Sequence, residues 1–154
     1  MAQIKAHYST LIAAAPETIY AVFADYHTHH PAILPKQFFG PLEVLEGGRG
    51  AGTLIHVITK SFGKENHLTM RVTEPEPGRK LQETEVDTGM QTTFSVEPSG
   101  QPGQTRVGIT IVWEGKKGVA GFFERLLMPA GMRFAFRKEL ELVRDYVREQ
   151  RVLA

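Results

Sequence analysis

What most restricts this chain is a run of strand-length, alternating segments that ends in one long amphipathic helix. From residue 118 to the C-terminus apolar positions recur three and four apart. Between residues 42 and 114 they alternate with polar ones and are punctuated by Gly and Pro. Antiparallel strands of this kind each bury one face, and the terminal helix is the long element available to cover it. A sheet curving around one helix can enclose more space than side chains fill, which points to a small-molecule pocket.

The alternation predicts a first strand over 4–13, with Ile4, Ala6, Tyr8 and Ile12 on one parity. Pro16 then opens a helix: its missing N–H costs nothing in a first turn, Glu17 complements the dipole, and Ile19, Val22 and Phe23 form a stripe. That helix is expected to stop near Tyr26. The segment 27–41, with three prolines and the apolar Ile33, Leu34, Phe38 and Phe39, predicts a short second helix or turn plugging one end of the core. Further strands are expected over 42–45, 52–61, 67–73, 80–87, 91–96 and 105–114, separated by Gly- and Pro-containing turns. The result is an α+β chain with a seven-stranded antiparallel sheet, two short helices after its first strand and a long C-terminal helix.

In that last helix a stripe through Phe122, Leu126, Pro129, Phe136, Leu140, Val143 and Val147 is expected to face the sheet. Pro129 and Gly131 predict a kink or break. The half before them is almost uncharged and reads as a cavity wall or movable lid. The half after them, with Arg137, Glu141, Arg144, Asp145 and Arg148, reads as an ordinary packed helix.

Composition narrows the function. The 154 residues suit one domain, residues 1–154. A formal net charge of +1 offers no broad field for phosphates, so nucleic acid is not an expected partner. The absence of Cys removes disulfides, thiolate metal sites and thiol nucleophiles. No apolar stretch approaches the roughly 18 residues that span a bilayer, and the first residues lack a signal core, so a cytoplasmic location is expected.

Several clusters carry competing readings. His27, His29 and His30 would bind a metal if Asp25 or His56 joined them, but loop histidines without fixed spacing seldom converge; no metal is expected, and His30 is the one placed to hold a structural hydrogen bond. Gly48-Arg49-Gly50-Ala51-Gly52 precedes a strand rather than a helix, so it reads as a hairpin turn and not a phosphate cradle. Glu83 and Glu85 share parity with Leu81; facing inward they would offer a general acid or base, but the cost of unpaired buried carboxylates favours the reading that leaves both in water. Arg133 falls between positions of the sheet-facing stripe and would orient an anionic ligand there, unless it reaches solvent. The aromatic and Met set Phe38, Phe39, Met70, Phe94, Trp113, Phe122, Phe123 and Met132 reads as core, part of it as pocket wall.

The order of elements resembles the helix-grip superfamily of START lipid-transfer domains, the birch-pollen allergen and polyketide cyclases. Local motifs resemble its bacterial polyketide cyclase/dehydrase-like branch: the stretch 12–26 with its helix-opening Pro16 and closing Asp25, His30-Pro31-Ala32-Ile33-Leu34-Pro35, Leu45-Glu46-Gly47-Gly48-Arg49-Gly50-Ala51-Gly52-Thr53, and Val72-Thr73-Glu74-Pro75-Glu76-Pro77-Gly78-Arg79. The resemblance covers nearly the whole chain. It implies a cavity between sheet and terminal helix, lined on the sheet side by Ile55, Val57, Met70, Thr92, Phe94, Ile111 and Trp113. The helices and their connections would add His30, Phe38, Phe39, Phe122, Phe123, Leu126, Met132, Arg133 and Phe136. The leading expectation is a non-enzymatic monomer or homodimer that binds, and by extension transports, a small hydrophobic or amphipathic ligand without a cofactor. A cyclase or dehydratase using Glu83, Glu85 or His56 is the second, with no residue matched to a known catalytic position. A module whose segment 118–132 docks on a membrane surface or a protein is the third.

Overall fold

The computed structural model describes the backbone of residues 3–61 and 63–153, and side chains as far as residue 150. Strand β1 (Gln3–Ile12) leads into α1 (Pro16–Ala24) and the single-turn α2 (His29–Ala32). Strands β2 (Phe39–Glu46), β3 (Leu54–Ser61), β4 (Lys64–Glu76), β5 (Lys80–Glu85), β6 (Gln91–Pro98) and β7 (Thr105–Glu114) follow, then α3 (Gly118–Leu153). The sheet runs β1-β7-β6-β5-β4-β3-β2, antiparallel throughout. Six strands are therefore a meander, with β1 added beside β7. This is the helix-grip arrangement.

Register fixes which side chains share a face, because directly paired residues point the same way. One row crosses the sheet as Ala6, Ile111, Thr92, Glu83 and Val72; a second runs through Tyr8, Ile109, Phe94 and Leu81; a third through Glu85, Met70, Ile55 and Val44. Most of these residues are buried, so this is the inner face.

Helix α1 starts as its sequence dictates, with Pro16 in the first turn, and buries Ile19, Tyr20, Val22 and Phe23. Asp25 ends it: its carboxyl accepts the N–H groups of His27 (3.0 Å) and Thr28 (3.2 Å) and so tightens the turn. The β2–β3 connection docks on this corner through Tyr26 N–H to Gly48 O (2.9 Å) and Gly50 N–H to Ala24 O (3.0 Å). Gly48 adopts φ +140° and a Cβ there would lie 1.9 Å from His27 Nε2, so only glycine allows the approach.

Helix α3 continues through Pro129 without a break. Its second half behaves as expected, burying Phe136, Leu140, Val143 and Val147 against the core. Its first half does not. Phe122 and Leu126 are each 62% exposed and Phe123 is 52% exposed, so the expected sheet-facing stripe fails before Pro129. At about 100° per residue, an unbroken helix sets Phe123 and Leu126 on the side that later carries Arg137 and Arg144, whereas Phe122 keeps the phase of the buried Leu140 and is exposed all the same. Gly121, Met128 and Met132 share the inward side with Phe136 and Val143, and they are the positions this half tucks toward the body. Arg133 lies on the outward side and is exposed, which removes it from the interior.

Candidate functional site

Strand β5 lies at the centre of the sheet, and its inward parity is Leu81, Glu83 and Glu85. The reading that leaves both glutamates in water is overturned: Glu83 is 8% exposed and Glu85 4%. Burial is tolerable because both have partners. Glu85 is used by the β5–β6 turn, where Oε1 accepts the N–H groups of Asp87 and Thr88 (both 3.0 Å) and Oε2 that of Thr69 (3.3 Å). Burial alone would raise its pKa, but those backbone donors outweigh it and hold the carboxyl below the usual range. A group depressed in the fold adds stability above its unfolded value and loses it as pH falls through the folded one. Glu85→Gln is therefore expected to cost about 1 kcal/mol at neutral pH and progressively less in acid, read from urea melts at several pH values.

Glu83 belongs to a different group. The Tyr26 hydroxyl donates to its Oε2 at 2.6 Å. The His30 ring stacks on Tyr26, with centroids 4.4 Å apart and planes 17° apart, and meets Phe94 edge-on at 5.3 Å. His30 Nδ1 lies 2.8 Å from Phe23 O; because a carbonyl only accepts, Nδ1 carries the proton. This is the structural hydrogen bond expected of His30, and it aims Nε2 at Glu83 Oε2, 3.6 Å away. Burial first, and Glu83 second, push the Tyr26 hydroxyl well above its ordinary pKa.

Helix α3 contributes Glu139 from above. It is 4% exposed, and burial followed by the nearby Glu83 pushes its carboxyl well above the ordinary range, favouring the neutral acid. Among the described residues Glu139 has no hydrogen-bond partner. No described side-chain polar atom sealed from solvent lacks one either, so the Glu139 oxygens border space that water can enter. A neutral carboxylic acid both donates and accepts, and beside Tyr26 and Glu83 it can hold the hydroxyl or carbonyl of an otherwise apolar molecule.

The core that contains this cluster is otherwise apolar. Ile55, Val57, Met70, Phe94, Ile111 and Phe136 are buried. Phe39, Trp113 and Met132 are half-buried against the same core, and Thr92 lies between Ile111 and Glu83 in the sheet row. Phe38 sits apart from them, edge-on to Phe134 of α3 at 6.1 Å. Phe122, Phe123, Leu126 and Arg133 are exposed. On the outside a cleft of about 340 Å³ opens between α2 and β2, lined by Leu34, Phe39, Pro41, Leu42 and Lys60 among others. A second, of about 500 Å³, follows the polar hairpin at Glu76, Lys80 and Glu97. Neither includes Glu139.

The three clustered histidines diverge. His27 Nε2 faces Gly47 O at 3.3 Å, His30 turns inward, and His29 Nδ1 lies 2.5 Å from the Tyr146 hydroxyl with Nε2 3.7 Å from Asp25. His56 is on the partly exposed side of β3, stacked on His67 with ring nitrogens 3.1 Å apart, which takes it out of the interior. Tyr26 and Glu139 are the site residues that sequence reasoning missed. For Glu139 a signal existed, since a charge three residues after Phe136 and four before Val143 lies within the apolar stripe.

Residues 3–148 match the family described as polyketide cyclase / dehydrase and lipid transport. Among solved structures, the KanY protein is 28% identical with a TM-score of 0.81, over 96% of this chain and 99% of that one. The Zhui aromatase/cyclase from Streptomyces sp. R1128 is 18% identical with a TM-score of 0.75, over 98% and 96%. A START superfamily protein from Mycobacterium smegmatis is 17% identical with a TM-score of 0.71, over 95% and 98%; at these last two identities the likeness is one of fold. No curated protein sequence matches.

Proposed function

We propose that this chain, which belongs to the polyketide cyclase / dehydrase and lipid transport family, binds a small apolar or amphipathic molecule between its sheet and α3. The Glu139, Glu83 and Tyr26 group would hold the ligand's one polar end. The observation that carries the reading is the Glu139 carboxyl, buried and without a partner among the described residues: its oxygens face space open to water, and a ligand oxygen would take the place of that water. Apolar walls supply affinity by burial, at about 25 cal/mol per Å².

The test is native mass spectrometry of gently purified protein, with displacement of a fluorescent fatty-acid probe. Bound species or displacement by hydroxylated apolar compounds is expected, and Glu139→Leu should weaken hydroxylated ligands about tenfold while sparing their deoxy analogues. No bound species and no displacement by any apolar compound would overturn the proposal.

One observation favours a second reading, an acid–base reaction on a polyketide-like or aromatic substrate. A carboxyl whose pKa is raised by burial is suited to donate a proton near neutrality, and Glu139 replaces Glu85 and His56 as the candidate. In that case Glu139→Gln would lower turnover about 100-fold or more while binding survives.

A further inference from the structure

We infer that the first half of α3 is a docking surface for an anionic lipid bilayer. Val119, Phe122, Phe123, Leu126 and Leu127 are each more than half exposed, and Phe134 is 43% exposed. In phase Val119, Phe123, Leu126, Leu127 and Phe134 share one side of the helix, opposite the side that turns Gly121, Met128 and Met132 toward the body, and Phe122 adjoins them at the phase of Leu140. Further along, that outward side becomes charged, with Arg137, Glu141 and Arg144. One face of one helix thus changes from apolar to ionic near residue 134, so the apolar half is a bounded patch that, Phe122 apart, is not a continuation of the core stripe.

Charge decides the occupant. Residues 116–138 hold six cations, Lys116, Lys117, Arg125, Arg133, Arg137 and Lys138, against the single acid Glu124, in a chain whose formal net charge is only +1. That acid is engaged by the helix start, its Oε1 accepting the Lys116 N–H at 2.7 Å. Arg137 and Lys138 each lie 5.5 Å from the Phe134 ring centre and share Glu141 at 3.7 and 3.9 Å, so the one carboxylate is divided between two cations at that edge, while Lys116, Lys117, Arg125 and Arg133 supply the rest of the basic rim. Apolar side chains among Lys and Arg on one helix face match a bilayer with acidic headgroups, which presents hydrocarbon and negative charge in the same plane. A second copy of this chain fits poorly, because a two-fold contact would set the same basic rim against itself. No helix among the described residues is long and apolar enough to cross a membrane, so the contact is peripheral.

Sedimentation of the full chain with vesicles of phosphatidylcholine, and of phosphatidylcholine mixed with phosphatidylserine, tests this whether or not the interior takes a ligand. Partition onto the mixed vesicles is expected to exceed that onto the neutral ones at least tenfold and to fall as salt is raised. Phe122→Ser with Leu126→Ser, and separately Lys116→Glu with Lys117→Glu, should each reduce it about tenfold or more with an unchanged circular dichroism spectrum. Because all four residues are exposed, the variants should fold. Absence of binding, equal binding to both vesicles, or a dimer in light scattering that the serine variant converts to monomer would each overturn the inference.

Discussion

Replacing Glu139 with Gln is expected to change stability by an amount that depends on pH, favouring the variant increasingly as the solution becomes less acid. In the unfolded chain a glutamate ionises near its ordinary value, whereas in the fold burial and Glu83 raise that value. Below the unfolded value both states hold the proton and the group contributes nothing. Between the unfolded and folded values only the native state holds it, so wild-type stability declines by about 1.4 kcal/mol per pH unit from this group. Glutamine does not titrate, so the difference between variant and wild type isolates the slope. Urea melts from mildly acid to neutral pH should show a gap that widens steadily as the pH rises. A gap independent of pH would mean that Glu139 is ionised in the fold or reaches bulk water.

Removing the Tyr26 hydroxyl should produce the other large effect. It supplies the only hydrogen bond to the Glu83 carboxyl among the described residues, at 2.6 Å, inside a buried site. Leaving a buried acidic oxygen without its donor costs more than the net worth of an ordinary hydrogen bond, so Tyr26→Phe is expected to lose about 2–3 kcal/mol. The ring and its stacking on His30 survive the change, which separates the hydroxyl from packing. With Glu83→Leu in the background the acceptor is gone, and the loss on Tyr26→Phe should shrink below about 1 kcal/mol. Equal losses in both backgrounds would show that the two residues do not act together.

Both predictions rest on residues that differ in how readable they were. The parity of Leu81, Glu83 and Glu85 was plain in the sequence, as was the possibility that all three face inward. What sent the inference the wrong way was the expectation that such carboxyls would be unpaired. The donor for Glu83 comes from a position 57 residues earlier, and those for Glu85 from a turn that bends back over it and from Thr69 on the neighbouring strand. Partners of that kind are set by chain path, not by local pattern. His29 is a similar case: its partner Tyr146 is 117 residues away, on α3, and burial pushes the Tyr146 hydroxyl upward.

Helix α3 shows the opposite failure. Three- and four-residue spacing correctly announced a helix, yet it could not say which arc meets the sheet. Drifting between an apolar stripe and its neighbour takes few residues, and the expected stripe was carried through Pro129 as if both halves of the helix met the sheet. The unbroken helix turned Phe123 and Leu126 outward, and left Phe122 exposed although it keeps the phase of the buried Leu140.

Local chemistry alone therefore determined the element order, the strand parities, the helix opened by Pro16 and the family likeness, because alternation, capping and turn residues act over a few positions. Tertiary structure decided that Glu83 lies near enough to Glu139 of α3 to push its carboxyl upward, that Glu85 and His56 are occupied elsewhere, and that an apolar, basic helix face is left uncovered. Those outcomes depend on which distant segments pack together, and the free energy of a buried carboxyl or an exposed phenylalanine is set by neighbours that short-range sequence pattern does not specify.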